Sequence, residues 1–205
     1  MPISMFAMAA AVAHTITFDQ SRALPEGWIS GVTGHGEAKW EVIADSSAPS
    51  PPNALRQSGD AMFCWAVSTT QKLKDGFAEV KIRPIGGKED QAGGIVWRFK
   101  DANNYYVVRA NALEGNVVLY KTVNGKRSSL QVKGRMFGYG IDTDVPKGKW
   151  SVLRVEFAGN LFTVFYAGKK LFEVEDDTFR DEGAVGLWTK ADSVTLFDDF
   201  SYGSK

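Results

Sequence analysis

Two glutamates at alternate positions, Glu173 and Glu175 in the stretch Glu173-Val174-Glu175-Asp176-Asp177, come nearest in this chain to the spacing of a catalytic pair. Side chains two apart on a β-strand share a face, so the two carboxyl groups would stand side by side. Retaining glycoside hydrolysis uses such a pair about 5–5.5 Å apart, one member as nucleophile and the other as acid/base. The same stretch also reads as a strand running into a turn before Thr178-Phe179. A second set of residues carries recognition chemistry. Arg98, Tyr105, Arg109, Asn111, Trp188 and Lys190 combine aromatic rings with amide and cationic hydrogen-bond donors. Saccharides are held by that combination, a ring against the C–H face of the sugar and donors for its hydroxyls. The alternative is a solvated sheet face with cross-strand ion pairs, such as Glu79 with a neighbouring arginine. Cys64 is the only cysteine, so no intrachain disulfide forms; in Met62-Phe63-Cys64-Trp65-Ala66 it reads as a small buried hydrophobe. With His14 and His35 as the only histidines, no His cluster is available for zinc or for base catalysis.

The elements that must position these residues are strands. Phe77 to Arg83 alternates, with Ala78, Val80 and Ile82 on one face and Glu79, Lys81 and Arg83 on the other. Gly94 to Phe99 sets Ile95, Trp97 and Phe99 together, with Arg98 opposite. Tyr105 to Asn111 turns Tyr106, Val108 and Ala110 inward and leaves Tyr105, Arg109 and Asn111 on the other side. Trp150 to Phe157 alternates again, and Trp97 and Trp150 are assigned to the core. Gly115-Asn116 and Asn124-Gly125 punctuate hairpins, and Ala158-Gly159-Asn160 and Ala167-Gly168-Lys169 mark further turns. About a dozen strands of one composition, with no internal linker, predict two packed antiparallel sheets in one all-β domain over residues 14–205. Ser46 to Pro52 is proline-rich and reads as a surface loop. Residues 1–13 are apolar and end in Ala11-Val12-Ala13, a small-x-small pattern like a leader-peptidase site, although no Lys or Arg precedes it. They read as an export leader or, alternatively, as an ordinary first strand or a disordered leader. Across 205 residues the 24 Lys+Arg balance the 24 Asp+Glu, which gives nucleic acid or an anionic membrane no electrostatic hold. No stretch reaches the roughly 20 apolar residues of a membrane span.

Several segments resemble one bacterial family. They are Gly93-Gly94-Ile95-Val96-Trp97-Arg98-Phe99, then Asp101-Ala102-Asn103-Asn104-Tyr105-Tyr106-Val107-Val108-Arg109-Ala110-Asn111-Ala112, Val118-Leu119-Tyr120-Lys121, Gly186-Leu187-Trp188-Thr189-Lys190-Ala191-Asp192-Ser193 and Phe197-Asp198-Asp199-Phe200. Together they are similar to the 3-keto-disaccharide hydrolase domain, a member of the concanavalin A-like superfamily related to laminin G-like and family 16 glycoside hydrolase modules. Phe18 to Trp28, with Leu24-Pro25-Glu26-Gly27-Trp28, fits that family's first strand. The resemblance covers nearly everything after Thr15 and implies a concanavalin A-like jelly-roll sandwich with sugars bound on its concave sheet. It does not imply activity, because such relatives include both glycosidases and lectin-like binders. Family 16 enzymes carry Glu-x-Asp-x-x-Glu on one strand, and Glu173/Glu175 depart from it in identity and spacing. Cleaving a 3-keto sugar calls for a base beside the acidic C–H and a group, such as a metal, that polarises the ketone. In related sandwiches an Asp of the last strand and groups of the first hold a structural calcium; Asp19, Asp198 and Asp199 are the matching oxygen donors here.

Three functions are therefore expected to compete. The first is a carbohydrate-binding, lectin-like domain of an exported bacterial protein. The second is a glycoside or 3-keto-disaccharide hydrolase, and the third a laminin G-like interaction domain with a flat apolar patch.

Overall fold

The computed structural model of the chain describes residues 13–20 and 22–204. All but the last residue of the expected leader, and Lys205, lie outside the described residues. Among the described residues sixteen strands, more than the dozen expected, form two antiparallel sheets. The first sheet comprises β1 (Ala13–Ile16), β3 (Trp40–Ala44), β4 (Asn53–Gln57), β6 (Gly76–Gly86), β12 (Ser151–Ala158), β13 (Leu161–Tyr166), β14 (Lys169–Glu175) and β16 (Val194–Gly203). The second comprises β2 (Trp28–Glu37), β5 (Asp60–Leu73), β7 (Ala92–Asp101), β8 (Asn104–Asn111), β9 (Asn116–Val123), β10 (Lys126–Ser129), β11 (Ile141–Asp142) and β15 (Gly183–Ala191). The first runs in the order β14-β13-β12-β6-β16-β4-β3, with β1 beside β16; the second runs β10-β9-β8-β7-β15-β5-β2, with β11 beside β9. Strands that follow one another in sequence, such as β6–β7 and β15–β16, fall in opposite sheets, which makes this a jelly-roll sandwich rather than a meander.

Alternation in the sequence explains how the sheets face each other. Ala78, Val80 and Ile82 of β6 are fully buried, as are Leu153 and Val155 of β12, with which β6 pairs. Trp97 anchors the core between the sheets. It stacks on Tyr106 (5.4 Å between ring centroids) and on Phe157 (6.0 Å) and meets Phe162 edge-on (5.4 Å). Burying a ring of this size is the largest single contribution a core residue makes, about 3–5 kcal/mol on truncation.

Three expectations need correction. Residues 18–20 and 22–27, expected to lie in a first strand running to Trp28, instead belong to a turn-rich connection between β1 and β2, with left-handed backbone at Phe18 (φ 60°) and Gly27 (φ 75°); Trp28, whose N–H donates to the Pro25 carbonyl, opens β2. Trp150 lies just ahead of β12, outside the main core; it packs half-buried with Ile43, Ala48 and Ile85 on the outer side of the first sheet. Finally, β7 loses its alternation. Arg98 adopts φ 46°, the pairing with β8 shifts register between Trp97 and Asp101, and Phe99 is thrown to the outer side of the second sheet instead of joining Trp97. A bulge inserts one residue and so swaps the faces of everything after it.

Candidate functional site

The outer face of the second sheet collects most of the residues expected to bind sugar. Tyr105, Val107 and Arg109 of β8, Trp188 of β15, Phe63 and Trp65 of β5, Val96 and Phe99 of β7 and Tyr120 of β9 all point away from the inter-sheet core. Most of them are buried although no strand of the described residues covers them. These side chains bury one another across neighbouring strands, on the face of the second sheet turned away from the first.

A floor of rings fills its centre. Trp188 stacks on Phe63 at 5.4 Å, Phe99 on Tyr105 at 5.5 Å, and Trp65 tilts against Phe99 at 4.8 Å. Trp188 is fully buried there. The exposed aromatic platform expected of it is therefore corrected to a floor residue, because Arg127 of β10 lies over its ring at 5.4 Å, over Phe63 at 4.6 Å and over Tyr120 at 4.2 Å. Tyr105 is equally buried, its hydroxyl 2.8 Å from Thr33 Oγ1, and burial raises its pKa.

At one end of the floor runs a chain of polar contacts. Lys190 Nζ donates to Asp90 Oδ2 (2.5 Å), and Asn111 Nδ2 donates to Asp90 Oδ1 and to Glu114 Oε1. Arg109 donates to Glu114 Oε2 (2.7 Å), Asn116 Oδ1, the Tyr120 hydroxyl (3.0 Å) and the Tyr139 hydroxyl (3.3 Å). Burial alone would raise the Glu114 pKa, but the Arg109 guanidinium outweighs it and holds the carboxyl below its ordinary value. Arg109, Asn111 and Lys190 thus lie in one network with Asp90, Glu114 and Tyr139, which sequence reasoning passed over. Beside this network opens a cavity of about 390 Å³ lined by His35, Asp60, Phe63, Glu89, Arg127 and Lys190. Its size falls in the range of small-ligand sites, about 300–1,000 Å³. A larger hollow of about 700 Å³ beside Asp19, Arg22 and Glu41 has no aromatic ring in its wall. Arg127 is the main residue of the site that sequence reasoning missed. A signal for it exists: it sits two residues past the Asn124-Gly125 turn, on a hairpin strand paired with Tyr120's strand.

Arg98 is corrected out of this set. The bulge turns it towards the inter-sheet side, where it is fully buried and its guanidinium lies 5.5 Å from the Phe162 ring centre. It donates to the carbonyls of Lys74 (2.9 Å), Phe179 (2.7 Å) and Gly159 (2.7 Å) and to Asp75 Oδ1 (3.3 Å). These bonds occupy all three guanidinium nitrogens in stapling three connections, so the residue is a structural clamp.

Glu173 and Glu175 fall on β14, the edge of the first sheet, away from the cavity. Each is ion-paired with a lysine: Glu173 with Lys170 (2.6 Å) and Glu175 with Lys133. The hydrogen bond from Lys170 lowers the Glu173 pKa, the opposite of what a general acid needs. Cys64 is buried, and burial pushes its thiol up to about 11, which leaves it protonated and inert as expected.

The expected calcium ligands do not form a cage. Asp199 accepts from Lys81 Nζ (2.5 Å) and Ser50 Oγ (2.6 Å), Asp198 from the N–H groups of Ser50 and Asp199 (2.8 Å each), and Asp19 from the Asn53 N–H (3.2 Å). The Lys81 ammonium supplies the positive charge a cation would bring. Among the described residues no group of three or more His, Cys, Asp or Glu is placed to hold a metal ion.

No protein-family profile matches the chain, and no curated protein is significantly similar to it in sequence. Its fold, however, is shared by many solved structures. The carbohydrate-binding module CBM66 from Bacillus subtilis superposes with a TM-score of 0.68 at 22% identity, over 87% of this chain and 96% of that one. The cellulose-induced protein Cip1 does so at 0.65 and 13% identity, over 94% and 97%. The β-glucanase of Bacillus licheniformis gives 0.58 at 11% identity, over 97% and 100%. These likenesses place the chain in the concanavalin A-like jelly-roll fold.

Proposed function

We propose that this domain binds carbohydrate on the concave face of its second sheet, over the cavity beside Arg127 and Lys190. The observation that carries the reading is the joining, on one open face, of an aromatic floor, an amide–carboxylate–cation network and a cavity of ligand size. Sugar recognition uses fixed donors and acceptors against hydroxyls in a cavity of this size, and the packed rings beneath hold those groups rigid. A structural neighbour named as a carbohydrate-binding module supports it. An exported location agrees with the apolar opening residues, and no helix of the described residues is long and apolar enough to cross a membrane.

Hydrolysis, the activity that the resemblance to the 3-keto-disaccharide hydrolase domain raised, has less behind it. Asp198 is the one carboxyl among the described residues whose pKa is resolved as raised, to about 6, and it has no exposed surface. A general acid with no access to solvent or substrate protonates nothing. The laminin G-like reading calls for a flat apolar patch, whereas the cavity wall here carries Asp60, Glu89, Arg127 and Lys190.

The test is a glycan array followed by calorimetric titration with cellohexaose and with mixed-linkage β-1,3-1,4-gluco-oligosaccharides. Saturable binding is expected, weakened about tenfold or more in Arg127→Met and unchanged in Glu173→Gln and Glu175→Gln. Absence of binding across the array removes the reading. Release of reducing sugar that disappears in Glu173→Gln or Glu175→Gln replaces it with the hydrolytic one.

A further inference from the structure

We infer that Phe137, at the tip of the loop between β10 and β11, is the aromatic that stacks on the bound sugar; this rests on the carbohydrate-binding reading above. The concave face needs such a residue, because the rings carried by its strands are already covered. Trp188, Tyr105 and Tyr120 are at most 2% exposed and Phe63 only 7%, with Arg127 lying over Trp188, Phe63 and Tyr120. Phe137 and its neighbour Met136 are each 84% exposed, the most exposed large apolar side chains of the described residues. An apolar pair kept in water at a loop tip costs solvation free energy with no return in packing, so its use lies in a contact the free protein does not make.

The loop is anchored beside the Arg109 and Tyr120 end of that face. It leaves the sandwich edge at Val132, which bridges to Val174 of the first sheet. It returns to the second sheet at Ile141, paired with Val117. Just before that return, Tyr139 folds onto the concave face: its hydroxyl meets that of Tyr120 and the guanidinium of Arg109, and its ring stands edge-on to Tyr120 at 5.9 Å. Phe137 is two residues upstream, so its Cα lies within about 7 Å of that of Tyr139.

Glycines divide the loop into an anchor and a free tip. Gly140 has φ 65°, and a Cβ there would meet the Val117 carbonyl at 2.3 Å, so that joint admits no side chain. Gly134 (φ 79°) and Gly138 (φ 144°) take left-handed backbone too, yet a Cβ at either would touch nothing within 4 Å. There glycine serves conformation rather than space, and Phe137 sits between two such joints. A phenylalanine carried this way can settle over the cavity and offer the sugar the ring face that Arg127 withholds from Trp188.

The experiment titrates the full chain with cellohexaose, or with whichever glycan the array returns, comparing wild type, Phe137→Ala, Phe137→Trp and Arg127→Met. Melting temperatures are measured alongside, and the exposed position predicts no change for either Phe137 variant. Phe137→Ala is expected to bind about tenfold more weakly, and Phe137→Trp to bind at least as well as wild type. Binding that is lost in Arg127→Met but kept in Phe137→Ala overturns this inference and leaves the carbohydrate reading standing. Failure of the wild type to bind any glycan on the array overturns both.

Discussion

Asp198 has no exposed surface and is held by two main-chain N–H groups, those of Ser50 and Asp199. Burial raises its pKa to about 6, and the nearby charges of Asp199 and Asp19 push the same way, against the two hydrogen bonds. Unfolded, the carboxyl titrates near 3.9. Folding therefore favours the protonated form, and the stability so gained is complete below about pH 4 and lost as pH rises through 6. The ceiling is about 3 kcal/mol, at about 1.36 kcal/mol for each pH unit that separates the folded from the unfolded value. Denaturant unfolding between pH 4 and 7.5 should show this loss in the wild type, superposed on the other carboxylates, and a flatter curve in Asp198→Asn. Because Lys81 already neutralises Asp199, millimolar calcium is expected to leave the curve unchanged at pH 7. A calcium-dependent gain that Asp198→Asn abolishes would instead establish a cation at Asp19, Asp198 and Asp199.

Among the elements, the β9–β10 hairpin governs the site most directly. Its two turn residues, Asn124 (φ 49°) and Gly125 (φ 78°), both take the left-handed backbone that matches the twist of a two-residue hairpin. Gly125→Ala puts a Cβ 3.2 Å from Asn103 Oδ1 in a backbone region that disfavours it, at a cost of about 1–2 kcal/mol. Arg127 hangs two residues beyond, so the same change should weaken sugar binding in protein that is still fully folded. Unchanged affinity would show that β9 alone holds Arg127 in place. This turn was plain in the sequence, as were the faces of β6, β8 and β12, because strict alternation and an Asn-Gly pair are local signals. The bulge at Arg98 was not: nothing in Trp97-Arg98-Phe99 announces a left-handed arginine, and the conformation is held by the distant Lys74, Gly159 and Phe179 carbonyls. The residues of the outer face of β8 were assigned to the right side, but their burial depends on rings and Arg127 from neighbouring strands, which no single strand encodes. The Glu173/Glu175 pattern marked a shared face correctly, yet strand order put that face at a sheet edge beside lysines.

At the scale of the whole molecule, the two sheets divide the work. The second carries the proposed sugar face, while the first pairs β1 with β16. Ala13 stands opposite Gly203 and Ile16 opposite Phe200, with His14 stacked on Tyr202 at 5.6 Å and Thr15 hydrogen-bonded to Ser201. Entry and exit thus lie side by side at one end of an antiparallel pair. Tension applied through both ends would load that ladder like a zipper, one hydrogen bond after another, rather than all together as in shear. Pulled in an optical trap from residues 13 and 203, the domain is expected to open gradually at low force, with β1 peeling first; a single abrupt rupture at high force would contradict this. The domain is then mechanically soft along the line that joins residues 13 and 203, and it gives way at β1 before the sheet that carries the cavity feels the strain.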